Sequence, residues 1–527
     1  MQTPLRSLRK VFVLLVVVFT QGMNPSPVHA RNGSDNGRDY GEGRLLLVPG
    51  GWTYTGDTAY APEVLSDSDP WRSLGGLAAH LADWPGIGEP GRPGLRRYAP
   101  GLLFEELASP LPQIAGRLAS GAPGSVEFLN FPAGAWWGPS AGAGAIQLQA
   151  PSPALDPKGR VTGWGGNGGG GVGVQYRGTH WASEGDLSRK ATDGVGDFWD
   201  GAASLYAEFP LGEHWVLGTD DLHADRVGTR WDVFQGLAGW NSGNFQQVRV
   251  VPYHQEAVDP TLDQRSREDG IRIDHHFDLA GLFETHWGVG LSETEADNAQ
   301  LLKREKSGFL RGGFFADVLG RLNLDGMARW DATEGNHPLP SVMMGIRLPV
   351  DPWTIEAAMH RSAWRQGSLL DGWEYGKTSE NAWGLRFQPG ETWFAALRVS
   401  RDIAGPERSW GLQPSITWKD EGPIFLGIRA LRCDLTADDR WAVSPDHVHS
   451  GSGQAKGTIG FGRGLSFWAL GRWSPGRRTL SAAGIKIEKS RWTLQAEAEN
   501  LSNLELAWTE PLGVPGRVFT VSLERAF

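Results

Sequence analysis

A single cysteine, Cys433, stands among the 527 residues of this chain, so no intramolecular disulfide can brace the fold. Long apolar runs are missing too. Beyond Phe19 nothing approaches the ~18 consecutive apolar residues of a transmembrane helix, which excludes a helical membrane protein. Basic residues are outnumbered, with 50 Lys and Arg against 60 Asp and Glu and a formal charge of −10. Nucleic-acid phosphates bind clustered positive charge, so this balance argues against such a partner. Hydrophobic residues reach only 40%, and the fold must hold by strand pairing and packing.

What the chain does have is glycine, at 73, and tryptophan, at 25. A barrel with a polar lumen fits that mixture, because half its side chains face water and Trp collects at membrane interfaces. The N-terminus reads as an export signal. Arg6, Arg9 and Lys10 precede the apolar run Val11–Phe19, and Val28-His29-Ala30 offers a cleavage site after Ala30. Without those three basic residues, 47 remain against 60 acidic ones, a formal charge of −13. Residues 1–30 are thus expected to be a cleaved signal peptide, and 31–44 a flexible, glycine-rich lead-in.

From Arg160 onward the chain repeats strand and turn. Trp393, Ala395, Leu397 and Val399 share one face, with Ala396, Arg398, Ser400 and Asp402 opposite. Trp492, Leu494, Ala496 and Ala498 oppose Thr493, Gln495, Glu497 and Glu499 in the same way. Leu322, Leu324, Ala328 and Trp330 face away from Asn323, Asp325, Arg329 and Asp331, and Trp353, Ile355 and Met359 away from Thr354, Glu356 and His360. In an outer-membrane barrel the apolar set meets lipid and the charged set lines the lumen.

Connections are expected to alternate in length. Short turns fall at Glu488–Arg491, Arg463–Leu465, Lys419–Pro423, Pro389–Glu391, Val350–Pro352 and Leu319–Arg321. Between them lie the longer stretches Leu501–Gly516, Cys433–Val448, Ser362–Glu380 and Thr294–Lys306, read as extracellular loops. Twenty strands are counted, and a Gly-rich hairpin near Arg160–Val174 makes 22. An even number places both barrel ends on the periplasmic side.

Two segments carry a family resemblance. The ending, Ala498–Phe527, alternates from Arg517 with Phe519, Val521 and Leu523 on one face, and closes on Phe527. It resembles the closing hairpin of TonB-dependent outer-membrane receptors, with Arg525 where that family prefers an aromatic. Ser125–Gln149 resembles the end of the same family's plug, with Glu127, Pro132, Gly138 and Gly144 in matching places. Asn130 and Phe131 replace the family's Arg-Gly. Leu45, Leu46, Leu47 and Val48 form the candidate TonB box, the segment that adds as a strand to the energy-transducing protein.

The resemblance implies an all-β transmembrane protein, with an α+β plug domain (residues 45–151) inside a 22-stranded antiparallel barrel (157–527), or a 20-stranded one. It implies a receptor that takes up a nutrient such as a siderophore or cobalamin, and no enzyme. An energy-uncoupled channel and a non-transporting surface barrel are the alternatives. Expected partners are outer-membrane lipid, the barrel-assembly machinery, the TonB-ExbB-ExbD complex and a small extracellular ligand, with the chain acting as a monomer. Neither cofactor nor metal is expected. Ligand contacts are assigned to Arg92 and Gln113 at plug apices, and to Trp364, Trp373, Tyr375 and Trp441 in the long stretches, where an outer aromatic girdle competes as an explanation.

Other motifs have plainer readings. Gly138-Pro139-Ser140-Ala141-Gly142 has the form G-x-S-x-G, but no strand-to-helix elbow surrounds it. Gly165–Gly173 lacks the Lys-Ser/Thr of a phosphate loop. Asp446-His447-Val448-His449 and His275-His276 show no third metal ligand.

Overall fold

Alternation over hundreds of residues folds here into a closed barrel of 22 antiparallel strands, each bonded to its neighbours in sequence and the last to the first. The computed structural model describes residues 157–527 apart from short connecting stretches, the longest being 443–448, 474–479 and 502–516. Upstream it describes strand backbone at 45–48, 51–54, 63–65, 94–99, 102–105, 125–129 and 145–149, and the piece 134–139.

The upstream strands are β1 (Leu45–Val48), β2 (Gly51–Tyr54), β3 (Glu63–Leu65), β4 (Gly94–Ala99), β5 (Leu102–Glu105), β6 (Ser125–Leu129) and β7 (Ala145–Gln149). β1 and β2 form a hairpin, and the others a sheet in the order β3-β6-β7-β4-β5. Between β6 and β7, which pair antiparallel, lies the one-turn helix α1 (Gly134–Trp137).

The barrel begins with β8 (Lys158–Gly166), β9 (Gly169–Arg177), β10 (Trp181–Thr192), β11 (Gly196–Leu211), β12 (Trp215–Arg226), β13 (Thr229–Asn241) and β14 (Gln246–Asp259). It continues through β15 (Gln264–Leu279), β16 (Phe283–Asn298), β17 (Leu302–Val318), β18 (Leu322–Thr333), β19 (Leu339–Val350), β20 (Trp353–Ser368), β21 (Gly372–Phe387) and β22 (Trp393–Ala404). β23 (Glu407–Phe425), β24 (Ile428–Ala442), β25 (His449–Phe461), β26 (Leu465–Trp473), β27 (Leu480–Lys489), β28 (Trp492–Glu499) and β29 (Val518–Ala526) complete it.

Successive side chains on a strand point to opposite faces, so the two faces read from the sequence become outside and inside. Trp393, Leu397, Trp492, Leu494, Trp330 and Ile355 are exposed outward, while Arg398, Arg329, Glu356 and His360 are buried within. This is the inverse of a soluble core and the arrangement of a barrel that meets lipid. Closure removes the sheet edges from the membrane-spanning part of the wall, where backbone groups pair from strand to strand around the ring. At the seam, Gly159 and Phe527 exchange both backbone hydrogen bonds, at 3.0 and 2.9 Å. Arg160 adds an ion pair to Glu524 at 3.4 Å.

Two expectations are corrected. Ser362–Glu380, Thr294–Lys306 and the first half of Cys433–Val448 are mostly paired strand: β20 runs to Ser368 and β21 starts at Gly372, β16 runs to Asn298 and β17 starts at Leu302, and β24 runs to Ala442. These strands outrun the apolar band, so water wets both faces and the alternation that marks a strand fades. Leu501–Gly516 falls almost wholly outside the described residues. The turn expected at Lys419–Pro423 lies inside β23, which reverses only after Phe425. Register shifts between Glu421 and Phe425, and such an irregularity accommodates a proline that cannot donate to the ladder.

Candidate functional site

Inside the barrel, the wall from β14 to β22 carries a dense polar surface. Arg311 donates to Asp274, to which Arg272 also donates at 2.6 Å. His276 stands 3.5 Å from Glu284, with His286 buried on the same strand as Glu284. Toward the far end, away from Lys158 and Phe527, Arg329 binds Asp331 at 2.8 Å and lies over the Phe309 ring, 3.9 Å from its centroid. Arg398 pairs with Glu380, and both are buried. The sequence supplies these groups at every second position, so they share a face without any need for a loop.

One upstream piece touches this wall. The Gly134 amide donates to Ser362 Oγ at 3.1 Å, and α1 packs along β18, β19 and β20. Gly138, buried beside Arg329, adopts φ +95°, a conformation that side chains rarely tolerate. Gly134–Gly138, within the segment that resembles a plug ending, is therefore seated against the inner wall of the barrel.

At the far end the wall rises above its apolar band. Ile271 and Leu291 oppose each other as an outward apolar rung. Beyond it the same face turns to charge: His254 to Asp269 at 2.7 Å, Arg265 to Glu256 at 2.9 Å, and Arg304 to Glu295 at 2.7 Å. Burial alone would raise the Asp269 carboxyl, but hydrogen bonds and charge from His254 and Arg267 outweigh it and hold the group below its ordinary 3.8. On the lumen face at this height, Tyr253 donates to Glu268 at 2.8 Å and Gln255 at 3.3 Å. Burial pushes the Glu268 carboxyl up, against those bonds and the charge of Arg365.

Arg365 belongs to the paired ends of β20 and β21, which lean into the mouth. Its Nη1 donates to Glu305 Oε1 at 2.7 Å, and Lys303 Nζ donates to the Leu370 carbonyl at 2.7 Å. Leu369 and Leu370 are buried against Ala296. Ser341 Oγ accepts from the Ala363 amide at 3.1 Å, at the root of this ribbon.

The sequence-based site residues are spread out. Arg92, Gln113, Pro132 and Gly144 lie outside the described residues. Leu45, Leu46, Leu47 and Val48 form β1, paired with β2, and Glu127 lies in β6 opposite Gln147. Trp364 and Trp373 lie in β20 and β21 near the ribbon tip, and Tyr375, exposed, stands opposite Arg365. Trp441 lies in β24 opposite Trp410, well away in the strand order from the other three. Phe519, Val521, Leu523 and Phe527 form an outward apolar row at the seam. Sequence reasoning missed Lys303, Glu305 and Arg365. Lys303 and Glu305 carried one signal, a charge on the lumen-facing parity of a strand taken for a loop, whereas Arg365 has the outward parity of β20 and carried none. Among the described residues, no group of three His, Cys, Asp or Glu is placed to hold a metal ion.

No protein-family model and no curated protein sequence matches the chain. Solved structures do. The siderophore receptor PirA from Pseudomonas aeruginosa aligns at TM-score 0.69 and 12% identity, over 88% of this chain and 99% of that one. A variant of the ferric enterobactin receptor PfeA from Pseudomonas aeruginosa aligns at TM-score 0.73 and 10% identity, over 89% and 98%. The copper transporter OprC aligns at TM-score 0.64 and 13% identity, over 82% and 90%. The chain has the barrel fold of the TonB-dependent receptors, in keeping with the resemblance in its sequence.

Proposed function

We propose that this chain is a gated outer-membrane receptor that imports a compact nutrient, with residues 45–151 as its plug. The observation that carries the reading is the seat of Gly134–Gly138 on the inner wall of a closed barrel whose outer face is apolar. A barrel of this size would otherwise enclose an open channel. Material inside the wall turns a pore into a gate.

In this reading the barrel termini face the periplasm and the charged rim of β14–β17 faces outward. Ligand binds between the rim and the plug apices, where Arg92 and Gln113 remain the proposed contacts. Energy arrives from the TonB-ExbB-ExbD complex through β1, which among the described residues pairs with β2 alone and would add as a strand to its partner. Ferric siderophores and copper are the first ligands to test, because the printed names of the structural neighbours point to them. Cobalamin follows as a ligand of similar bulk.

The test is uptake of radiolabelled ferric siderophores and of copper by cells expressing the full chain or a chain lacking Leu45–Val48. Uptake that disappears with the deletion supports the coupled receptor. Uptake that persists overturns coupling and leaves the second reading, an energy-uncoupled channel, which the Asn130-Phe131 replacement of the family's Arg-Gly favours.

A further inference from the structure

One row of the inner wall is built from imidazoles and thioethers. In the barrel register His286 on β16 stands opposite Gly313 on β17, and Gly313 opposite Met327 on β18. Met327 stands opposite Met343 on β19, and Met343 opposite His360 on β20. Directly opposed residues hold their Cβ atoms about 4.5–5.5 Å apart, so the row is continuous from β16 to β20. His286, Met327, Met343 and His360 are all buried on the lumen side. The row lies next to Arg329 and Ser341, on the side of the chain ends.

Gly313 lets the row close up. A Cβ on it would stand 2.6 Å from His286 Nε2 and 2.8 Å from Met327 Cε. The imidazole and the end of the methionine therefore converge over the glycine, although their strands are not neighbours. The placement of methionine is a second sign. The chain has six, and beyond Met1 and Met23 they are Met327, Met343, Met344 and Met359, all on β18, β19 and β20. Met344 and Met359 pair on the outward face. Met327 and Met343 pair on the inward one, between two histidines.

We propose that this row binds a monovalent soft metal ion, Cu(I) or Ag(I), between the Met327 and Met343 thioethers, with the His286 and His360 imidazoles as donors from either side. Thioether sulfur is soft and selects Cu(I), and imidazole suits copper as well. All four donors are neutral when they ligate, so a single positive charge is all the site must hold. A divalent ion buried here would want carboxylates to offset it. The next residue in the row, Glu380, is already paired with Arg398. The absent triad of His, Cys, Asp or Glu noted above does not bear on this set, because thioethers are not among those ligands. The proposal concerns binding by the wall, and it goes beyond the receptor reading because it holds whether or not the ion is imported.

Cys433 is first replaced by Ser, because an exposed thiol would itself capture a soft ion. The full chain, folded in detergent, is titrated with Ag(I), and with Cu(I) under ascorbate against a coloured Cu(I) chelator. Tight binding of a single ion is expected, with sulfur and nitrogen neighbours in the X-ray absorption spectrum of the copper. Met327→Leu and Met343→Leu conserve volume. Each should weaken Ag(I) binding at least about tenfold, the least that even an outer-shell change costs a metal site. Met344→Leu with Met359→Leu makes the same exchange on the opposite face and should leave binding unchanged. Heat-modifiability checks that each variant is folded, and the copper spectrum of the parent needs no variant at all. Copper with no sulfur neighbour overturns the site. So does a parent that binds no Ag(I), an undiminished affinity in the Met327→Leu, Met343→Leu double variant, or an equal loss in the outward pair. Binding that passes these tests in a chain that imports no copper leaves the site standing and removes copper from the receptor reading.

Discussion

Gly138 and Arg329 stand so close that a Cβ on the glycine would lie 2.9 Å from Arg329 Nη2. The guanidinium cannot simply swing away, because Asp331 holds it at 2.8 Å and the Phe309 ring lies against it. The seat of the upstream segment is thus a backbone surface fitted to a pinned cation. Gly138→Ala meets that cation and a φ of +95° together, for an expected cost of about 1–3 kcal/mol. Limited proteolysis should show faster cleavage within residues 45–151, while Gly163→Ala, which meets nothing within 4 Å, leaves the pattern unchanged.

The buried pair of Arg398 and Glu380 offers a second test. Arg398→Met removes the cation from a buried carboxylate and is expected to cost about 3–5 kcal/mol. Adding Glu380→Leu to that variant should recover much of the loss. Thermal unfolding of the three proteins in detergent compares them, and a double variant no better than the single one would contradict the assignment.

Facing can be tested one position at a time. Ile346 is exposed outward in the middle of β19, and Arg347 next to it faces the lumen and pairs with Glu356 at 3.0 Å. Ile346→Arg puts the same side chain on the lipid face, where it should cost about 2–4 kcal/mol. The fraction of heat-modifiable, folded barrel after refolding into lipid measures it. Ile346→Val should behave like the parent.

Acid should loosen the rim before the membrane-embedded wall. The Asp269 carboxyl is held below its ordinary 3.8, so its ion pairs contribute fully above that value and are lost as pH falls through the lower, folded value. The contribution of this partly exposed pair is about 1 kcal/mol. Hydrogen exchange in the upper halves of β14 and β15 should quicken as pH drops below 3.8, and Asp269→Asn should flatten that dependence.

The seam makes a fifth target. The Phe527 ring lies over Gly159, where a Cβ would overlap the ring edge. Gly159→Val should displace the terminal ring and slow barrel closure, seen as accumulation of unfolded chain in pulse-chase experiments. Phe527→Ala should give a milder delay, since the reciprocal backbone bonds remain.

Much of this barrel was legible before the structure. Trp393 and Leu397 face outward and Arg398 inward, as the alternation of that strand required. The strand number, including the Gly-rich first hairpin, also followed from pattern. Legibility ended at the rim. Glu295, Arg304 and Lys306 look like loop residues because they are charged on the face that is apolar below, yet their backbone is still paired. The site suffered most from this. Glu305 and Arg365 lie 60 positions apart, and nothing in either strand announces that they meet.

The sequence by itself determined which face of each strand is apolar, how many strands there are and that the last could close on the first. Strand geometry is local, and a two-residue period writes it directly into the residue order. The tertiary structure decided the rest: the ribbon that leans into the mouth, the cation that seats Gly138 and the late reversal after Phe425. Those depend on how far neighbouring strands run and which lumen groups face each other once the ring is shut, and closure is a property of all 22 strands together.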